Sequence, residues 1–132
     1  MTKLAVVIAL ACGCRSDKPA KLAWATDEKA AFERARAEHT GVMIELYASW
    51  AMPCEELGRE LHGERVAAAL RGTFVPVRID VTNDNGDIQA RYGAKTLPAV
   101  LFVTTDGTVR ARIDRVIEEP AVIATIERAA AR

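Results

Sequence analysis

Cysteine is scarce in this sequence of 132 residues. It contains three cysteines, and two of them, Cys12 and Cys14, lie close to the N-terminus. Only Cys54 falls in the part of the chain that can build a domain core. A fold held together by a framework of disulfides is therefore excluded.

An excess of charge of either sign is also missing. Lys plus Arg and Asp plus Glu both number 18, the formal net charge is zero, and the charged residues are scattered along the chain. Nucleic acids and anionic membrane surfaces are bound by concentrated basic patches. We therefore expect no nucleic-acid partner.

The apolar run at residues 4–11 is far shorter than the ~20 residues that a membrane-spanning helix needs. It follows Lys3 and precedes Cys12, Cys14 and a polar stretch, which is the layout of an export signal. A cysteine at the end of such a run resembles a bacterial lipoprotein signal, in which that cysteine carries the lipid. Three alternatives stay open: lipidation at Cys12 or Cys14, a cleaved soluble export signal, and a misplaced start codon or uncleaved tail. We predict a leader and linker at residues 1–21, a single domain at residues 22–132, and a bacterial periplasmic location.

Histidine offers little support for a metal site. The chain has two, His39 and His62, and neither has a second ligand three or four residues away, so we expect both at the surface. A nucleophile pair of Cys54 and His62 is disfavoured, because two helical turns separate them by about 12 Å. The acidic loop before Gly86 lacks the ligand spacing of a calcium loop. We predict no metal.

The hydrophobic pattern predicts five helices and four strands. Thr26 is a plausible N-cap for the first helix, Gly41 ends that helix, and Pro53 stands where the second helix begins. The predicted helices are 26–39, 53–62, 64–70, 87–92 and 119 to the C-terminus, and the predicted strands are 42–47, 74–81, 99–103 and 109–115. This alternation predicts an α/β sandwich whose last two strands form a hairpin, with a mixed sheet flanked by helices.

Several segments carry a family resemblance when they are taken in order. They are Val42 to Trp50, the motif Trp50-Ala51-Met52-Pro53-Cys54, Asp80-Val81-Thr82-Asn83-Asp84, Arg91-Tyr92-Gly93 and Thr96-Leu97-Pro98. From about Trp24 onward the chain resembles the thioredoxin superfamily. Within that superfamily it resembles the C-terminal periplasmic domain of DsbD-type thiol:disulfide interchange proteins and small exported thioredoxin-like proteins related to it. The resemblance implies a thioredoxin-like fold and a WCxxC redox motif in which Ala51 replaces the first cysteine.

Thiol exchange starts with a thiolate at a helix N-terminus, where unpaired backbone N–H groups and the helix dipole stabilise the anion. That position holds Ala51, and Cys54 is the second, more buried thiol that would resolve a mixed disulfide. Three interpretations of Ala51 remain open. The chain is an engineered Cys→Ala form of an active oxidoreductase, a natural member that has lost catalysis and kept a binding groove, or a protein with single-thiol chemistry through Cys54. Cys54 could also be a small buried hydrophobe.

The resemblance implies roles for further residues. Glu45 corresponds to a buried acid that helps to move the proton of the second cysteine, although it could be an ordinary exposed strand residue. Pro98 resembles the family's cis-proline, with Thr96 and Leu97 offering their main chain to an extended peptide. Alternatively, Pro98 is a trans proline at the start of a strand.

Trp50 and Met52 would form an apolar rim beside the motif, and Pro53 lies between the two cysteine positions. Alternatively, Trp50 and Met52 only pack against neighbouring residues and have no role in binding. No organic cofactor is implied, because the cysteine pair is the redox group of this family. The partners would be thiols or disulfides of exported polypeptides and a membrane or periplasmic redox protein, bound by a monomer. Two hypotheses follow: an oxidoreductase scaffold of the cell envelope that lacks its nucleophile, and a redox-inactive module that binds exported polypeptides or a partner.

Overall fold

A single mixed sheet of four strands organises residues 21–131, the part of the chain that the computed structural model describes. The strands are β1 Gly41–Tyr47, β2 Phe74–Asp80, β3 Ala99–Val103 and β4 Val109–Ile113. Their order across the sheet is β2-β1-β3-β4, with β1 parallel to β2, and with the β1/β3 and β3/β4 pairs antiparallel. The central strand β1 is almost continuously apolar because helices cover both faces of the sheet.

Five helices complete the fold. They are α1 Glu28–Glu38, α2 Met52–Leu61, α3 Glu64–Leu70, α4 Asp87–Arg91 and α5 Glu119–Ala130. The α/β class, the element order and the terminal hairpin predicted from the sequence are confirmed.

Both ends of α1 differ from the prediction. The N-cap is Asp27, not Thr26: Asp27 has extended backbone and its carboxylate accepts a hydrogen bond from the N–H of Ala30 at 2.8 Å. At the other end, His39 adopts a left-handed conformation and ends the helix. Gly41 already belongs to β1, where a Cβ would lie 2.6 Å from the carbonyl oxygen of Val103. A glycine is needed there for close strand approach rather than for helix termination.

The core consists of two apolar clusters, one on each face of the sheet. Helix α1 covers one face, where Ala31 and Ala35 pack on Ile44 and Leu101. Helices α2, α3 and α5 cover the other face, with Leu61, Val66, Val122 and Ile126 around Phe102. Alternate residues of β1 therefore face different helices, and this alternation decides which helix each side chain can reach.

The predicted leader lies outside the described residues, and with it Cys12, Cys14 and any lipid attachment. The boundary after residue 21 stays a prediction. Within residues 21–131, no helix combines the length and the apolar character needed to cross a membrane.

Candidate functional site

The Trp50 to Cys54 motif forms the start of α2. Ala51 is the N-cap residue, with φ −95° and ψ 101°, and its side chain makes no capping hydrogen bond. Pro53 falls in the first turn, where its missing N–H costs nothing. The N–H of Cys54 donates to the carbonyl oxygen of Ala51 at 3.0 Å. Position 51 therefore stands at the helix N-terminus, and Cys54 follows one turn later.

Exposure alternates sharply along this motif. Trp50 and Met52 are 70% and 69% exposed, whereas Ala51 and Cys54 are 8% and 4% exposed. Pro53 is exposed as well. Two large apolar side chains thus project beside a covered cysteine, which is free and buried.

The segment Thr96-Leu97-Pro98 lies beside the motif. The Leu97–Pro98 peptide bond is cis. Leu97 is partly buried and packs on the same apolar cluster that contains Ala51 and Cys54, Pro98 is buried, and Thr96 is exposed. The antiparallel β1/β3 pairing brings the start of β3 to the end of β1, and so brings together two segments whose nearest residues, Cys54 and Thr96, are 42 positions apart in the sequence.

Hydrogen bonds hold the loop after β1 against the loop after β2. The N–H of Ser49 donates to the hydroxyl oxygen of Thr82 at 2.9 Å, and the N–H of Thr82 donates to the carboxylate of Asp80 at 2.9 Å. The hydrogen bond from the Thr82 hydroxyl, followed by that from its N–H, lowers the pKa of Asp80. These contacts fix the approach of the chain to Trp50.

Glu45 is buried in the centre of β1, with 2% exposure. Its carboxylate oxygen Oε1 lies 2.8 Å from Nε2 of His62, and Nε of Arg78 donates to its two oxygens at 3.1 and 3.3 Å. The β1/β2 register places Glu45 directly beside Arg78. In the described part of the chain, the hydrogen bonds of this carboxylate lead to His62 and Arg78 and not to the Cys54 thiol.

Aromatic rings flank this charged cluster. The guanidinium of Arg78 lies 3.6 Å from the ring centroid of Tyr47, and the ring of His62 meets Trp24 edge-on at 5.0 Å between centroids. Trp24, His62 and Arg78 line a shallow depression of about 260 Å³. Buried Glu45 is therefore screened from solvent by groups that themselves reach the surface.

Sequence reasoning found Glu45 but missed its partners. His62 is at the surface as expected, yet its hydrogen bond to Glu45 was not foreseen. An opposite charge at Arg78 in the neighbouring predicted strand was the available signal, and using it required the strand register. Within residues 21–131, no group of three or more His, Cys, Asp or Glu side chains is arranged to hold a metal ion.

A mixed sheet, a cysteine motif at a helix start and a cis-proline segment beside it together define a thioredoxin-like protein. The chain belongs to this family, because the family model described as thioredoxin-like matches residues 23–105.

Curated relatives support this assignment. The thiol:disulfide interchange protein DsbD of Pseudomonas fluorescens is 31% identical over 102 residues, which cover 74% of this chain and 17% of that protein. The mitochondrial thioredoxin of Bos taurus is 32% identical over 77 residues, covering 58% of this chain and 45% of that protein. The chain thus spans less than half the length of either relative.

Solved structures agree with the fold. The oxidoreductase DsbH has a TM-score of 0.73 at 18% identity, with 89% of this chain and 90% of that chain covered. The reduced DsbD C-terminal domain of Neisseria meningitidis has a TM-score of 0.65 at 26% identity, with 76% and 92% covered. The thioredoxin-like fold and the similarity to DsbD C-terminal domains predicted from the sequence are confirmed.

Proposed function

We propose that this chain is a thiol:disulfide exchange scaffold of the bacterial cell envelope in which Ala51 occupies the place of the attacking cysteine. The observation that carries the proposal is the position of Ala51 as N-cap of α2, one turn before buried Cys54. A thiol at residue 51 would meet the helix N-terminus that stabilises a thiolate. Because the motif contains a single cysteine, it cannot alternate between a dithiol and an intramolecular disulfide.

The electron balance explains this limitation. A thiolate attacks a disulfide, forms a mixed disulfide and releases one thiolate; a second thiolate then attacks the mixed disulfide, leaving an intramolecular disulfide and a reduced substrate. Cys54 can supply the first step, and the motif contains no second cysteine for the second step. Its burial also limits attack on a folded substrate. The chain is therefore inactive in dithiol exchange or restricted to single-thiol chemistry.

Glu45 is the proposed proton acceptor for Cys54. A carboxylate at this depth is costly unless it is paired, and the guanidinium of Arg78 supplies that pairing. His62 connects the carboxylate to the surface. The support for this role is the buried position of Glu45 in the strand that leads into the motif.

Disulfide turnover tests the proposal. The Ala51→Cys variant is expected to accelerate insulin reduction by dithiothreitol at least about tenfold over the parent chain, because each tenfold requires only about 1.4 kcal/mol of transition-state stabilisation. Ala51→Ser is the matched control, since it adds a polar side chain without a thiol. Ala51→Cys combined with Cys54→Ser should lose the turnover. A folded Ala51→Cys variant that works no faster than Ala51→Ser would contradict the proposal.

A second candidate function is binding without redox chemistry. The exposed side chains of Trp50 and Met52 favour it, because large apolar side chains clustered on a surface mark interaction sites. The occupant would be an extended exported polypeptide or a partner protein, lying along Leu97 and Pro98 by strand addition.

Peptide binding separates this candidate from the first. Fluorescence anisotropy of a labelled, reduced and unfolded polypeptide should show weaker binding when Trp50 and Leu97 are both changed to Ala. Val109→Ala is the control, because it removes an exposed apolar side chain at the other end of the sheet. Equal affinity of the double variant and the control would rule out the groove as the binding surface.

The proposal includes a periplasmic location, a membrane or periplasmic redox partner, and a monomeric state. Supporting it are the export-type layout of residues 3–18 and the similarity to DsbD. A lipid anchor at Cys12 or Cys14 is tested by labelling cells with a radioactive fatty acid. Loss of label in Cys12→Ser or in Cys14→Ser would identify the attachment site, and an unlabelled parent protein would contradict lipidation.

A further inference from the structure

A second cavity lies at the end of the sheet opposite the motif. Its volume is about 470 Å³, and it is bordered by the end of α1, the starts of β1 and β2, the end of β3, the start of β4 and the end of α5. The motif follows the other end of β1. This cavity is therefore separate from the site that carries the proposed function.

The ionisable side chains that line this cavity are all basic or neutral. They are Arg36, His39 and Arg110, and no Asp or Glu lines the cavity. Within residues 21–131, neither Arg36 nor Arg110 forms an ion pair. Arg36 instead lies 5.9 Å from the ring centroid of Phe32. Two arginine residues thus line a shared space that no carboxylate lines.

Arg110 is placed there by a β-bulge. In the β3/β4 pairing, Phe102 is opposite Ala111 and Val103 is opposite Val109, so Arg110 is the additional residue. A bulge redirects a side chain and is often found beside functional sites. The side chain of Arg110 lines the cavity as a result.

Two hydrogen-bonding atoms at the cavity have no partner among the described residues. They are Nε of Arg110 and the hydroxyl oxygen of Thr40, and both are buried. A buried donor left without a partner is destabilising, and more so when it is charged. Both atoms therefore have unused hydrogen-bonding capacity in the wall of the cavity, and an entering acceptor reaches them only when the groups that cover them shift.

A nearby carboxylate that could pair with Arg110 already accepts hydrogen bonds from other groups. Asp106, in the turn before β4, accepts hydrogen bonds from the Thr104 hydroxyl and from the N–H of Thr108. These bonds are the main reason why its pKa falls to about 2, and the charge of Arg110 is the smallest of the causes. Asp106 therefore leaves the guanidinium of Arg110 free to take another anion.

We propose that this cavity binds a small organic anion, a carboxylate or a phosphate ester. The anionic group would accept hydrogen bonds from Arg110 and Thr40, with Arg36 adding positive charge. The apolar part would lie against Phe74 and Val103, which form part of the same wall. The volume is in the range of small-ligand sites, about 300–1,000 Å³.

Amide and arginine Nε chemical shifts, followed by NMR during titration with phenyl phosphate at roughly physiological salt, test the proposal. We expect saturable changes at Thr40, Gly41 and Arg110. Phenyl phosphate should bind more tightly than inorganic phosphate, because only the ester has an apolar ring to place against Phe74. Equal affinity for both would overturn the assignment to an organic anion.

Variants make the test specific. Arg110→Ala should weaken phenyl phosphate binding at least about tenfold, as loss of a charged hydrogen bond predicts. Arg36→Ala, on the opposite wall, should also weaken phenyl phosphate binding. This second variant keeps the test decisive if Arg110→Ala fails to fold. Arg112→Ala is the matched control, since Arg112 lies in the same strand outside this cavity. Non-saturable shifts, or equal losses in Arg110→Ala and Arg112→Ala, would overturn the proposal.

Discussion

Replacing Arg78 with Met tests the charged cluster formed by Glu45, His62 and Arg78. The guanidinium of Arg78 donates to both oxygens of Glu45, whose carboxylate is buried among apolar residues of the sheet. Methionine keeps most of the apolar stem that packs near Tyr47 and removes the positive charge. The carboxylate then retains His62 as its hydrogen-bond partner.

The structure sets the size of the expected loss. Removing one partner of a fully buried ion pair costs about 3–5 kcal/mol, whereas hydrogen bonds to charged groups contribute about 1.5–3 kcal/mol. The side chain of Arg78 is 38% exposed, so solvent screens part of its interaction with Glu45. We therefore expect Arg78→Met to lower the unfolding free energy by about 1.5–3 kcal/mol.

Urea unfolding measures this loss by linear extrapolation. Arg115→Met is the control, because Arg115 is largely exposed and its contact with Asp114 is long. Glu45→Leu combined with Arg78→Met should recover most of the loss, since an apolar pair can replace a buried ion pair. A loss below about 0.5 kcal/mol for Arg78→Met would refute the reasoning.

Two further predictions concern the fold. Phe102 is fully buried and packs edge-to-face on Phe74, so Phe102→Ala should cost about 3–5 kcal/mol in urea unfolding; a cost below about 1 kcal/mol would contradict this packing. Burial, and then the hydrogen bond to Glu28, raise the pKa of Tyr92. The folded state thus holds this proton more tightly than the unfolded state, and its contribution is complete below pH ~10 and lost as the pH rises further. Tyr92→Phe should flatten the decline of unfolding free energy above pH ~10, and an unchanged decline would exclude Tyr92 as its source.

The sequence predicted elements best where strong local signals mark their ends. Helix α3 has its predicted bounds because Gly63 precedes it, and β3 has its predicted bounds because Pro98 precedes it. The predicted start of α1 was wrong because Thr26 and Asp27 are both good N-cap residues. Only the backbone conformation of Asp27 decides between them.

Local signals predicted the positions of Ala51 and Cys54, and the family resemblance named Glu45 and the segment Thr96-Leu97-Pro98, but the partners of Glu45 were missed. Ala51 and Cys54 follow from the helix start. The contacts of Glu45 with His62 and Arg78 depend on the strand register and on where α2 ends. Arg110 could not have been placed by sequence reasoning, because its orientation depends on a bulge that only strand pairing reveals.

The central claim is that residue 51 stands where an attacking thiolate would form. The direct measurement is the rate of iodoacetamide alkylation against pH for the Ala51→Cys variant in which Cys12, Cys14 and Cys54 are all changed to Ser, so that the introduced cysteine is its single thiol. We predict half-maximal reactivity below pH ~7.5. The pKa of a thiol at a helix N-terminus is lowered to about 3.5–7.5, from about 8.5 for a free cysteine. Half-maximal reactivity at pH ~8.5 or above in a folded variant would contradict the claim.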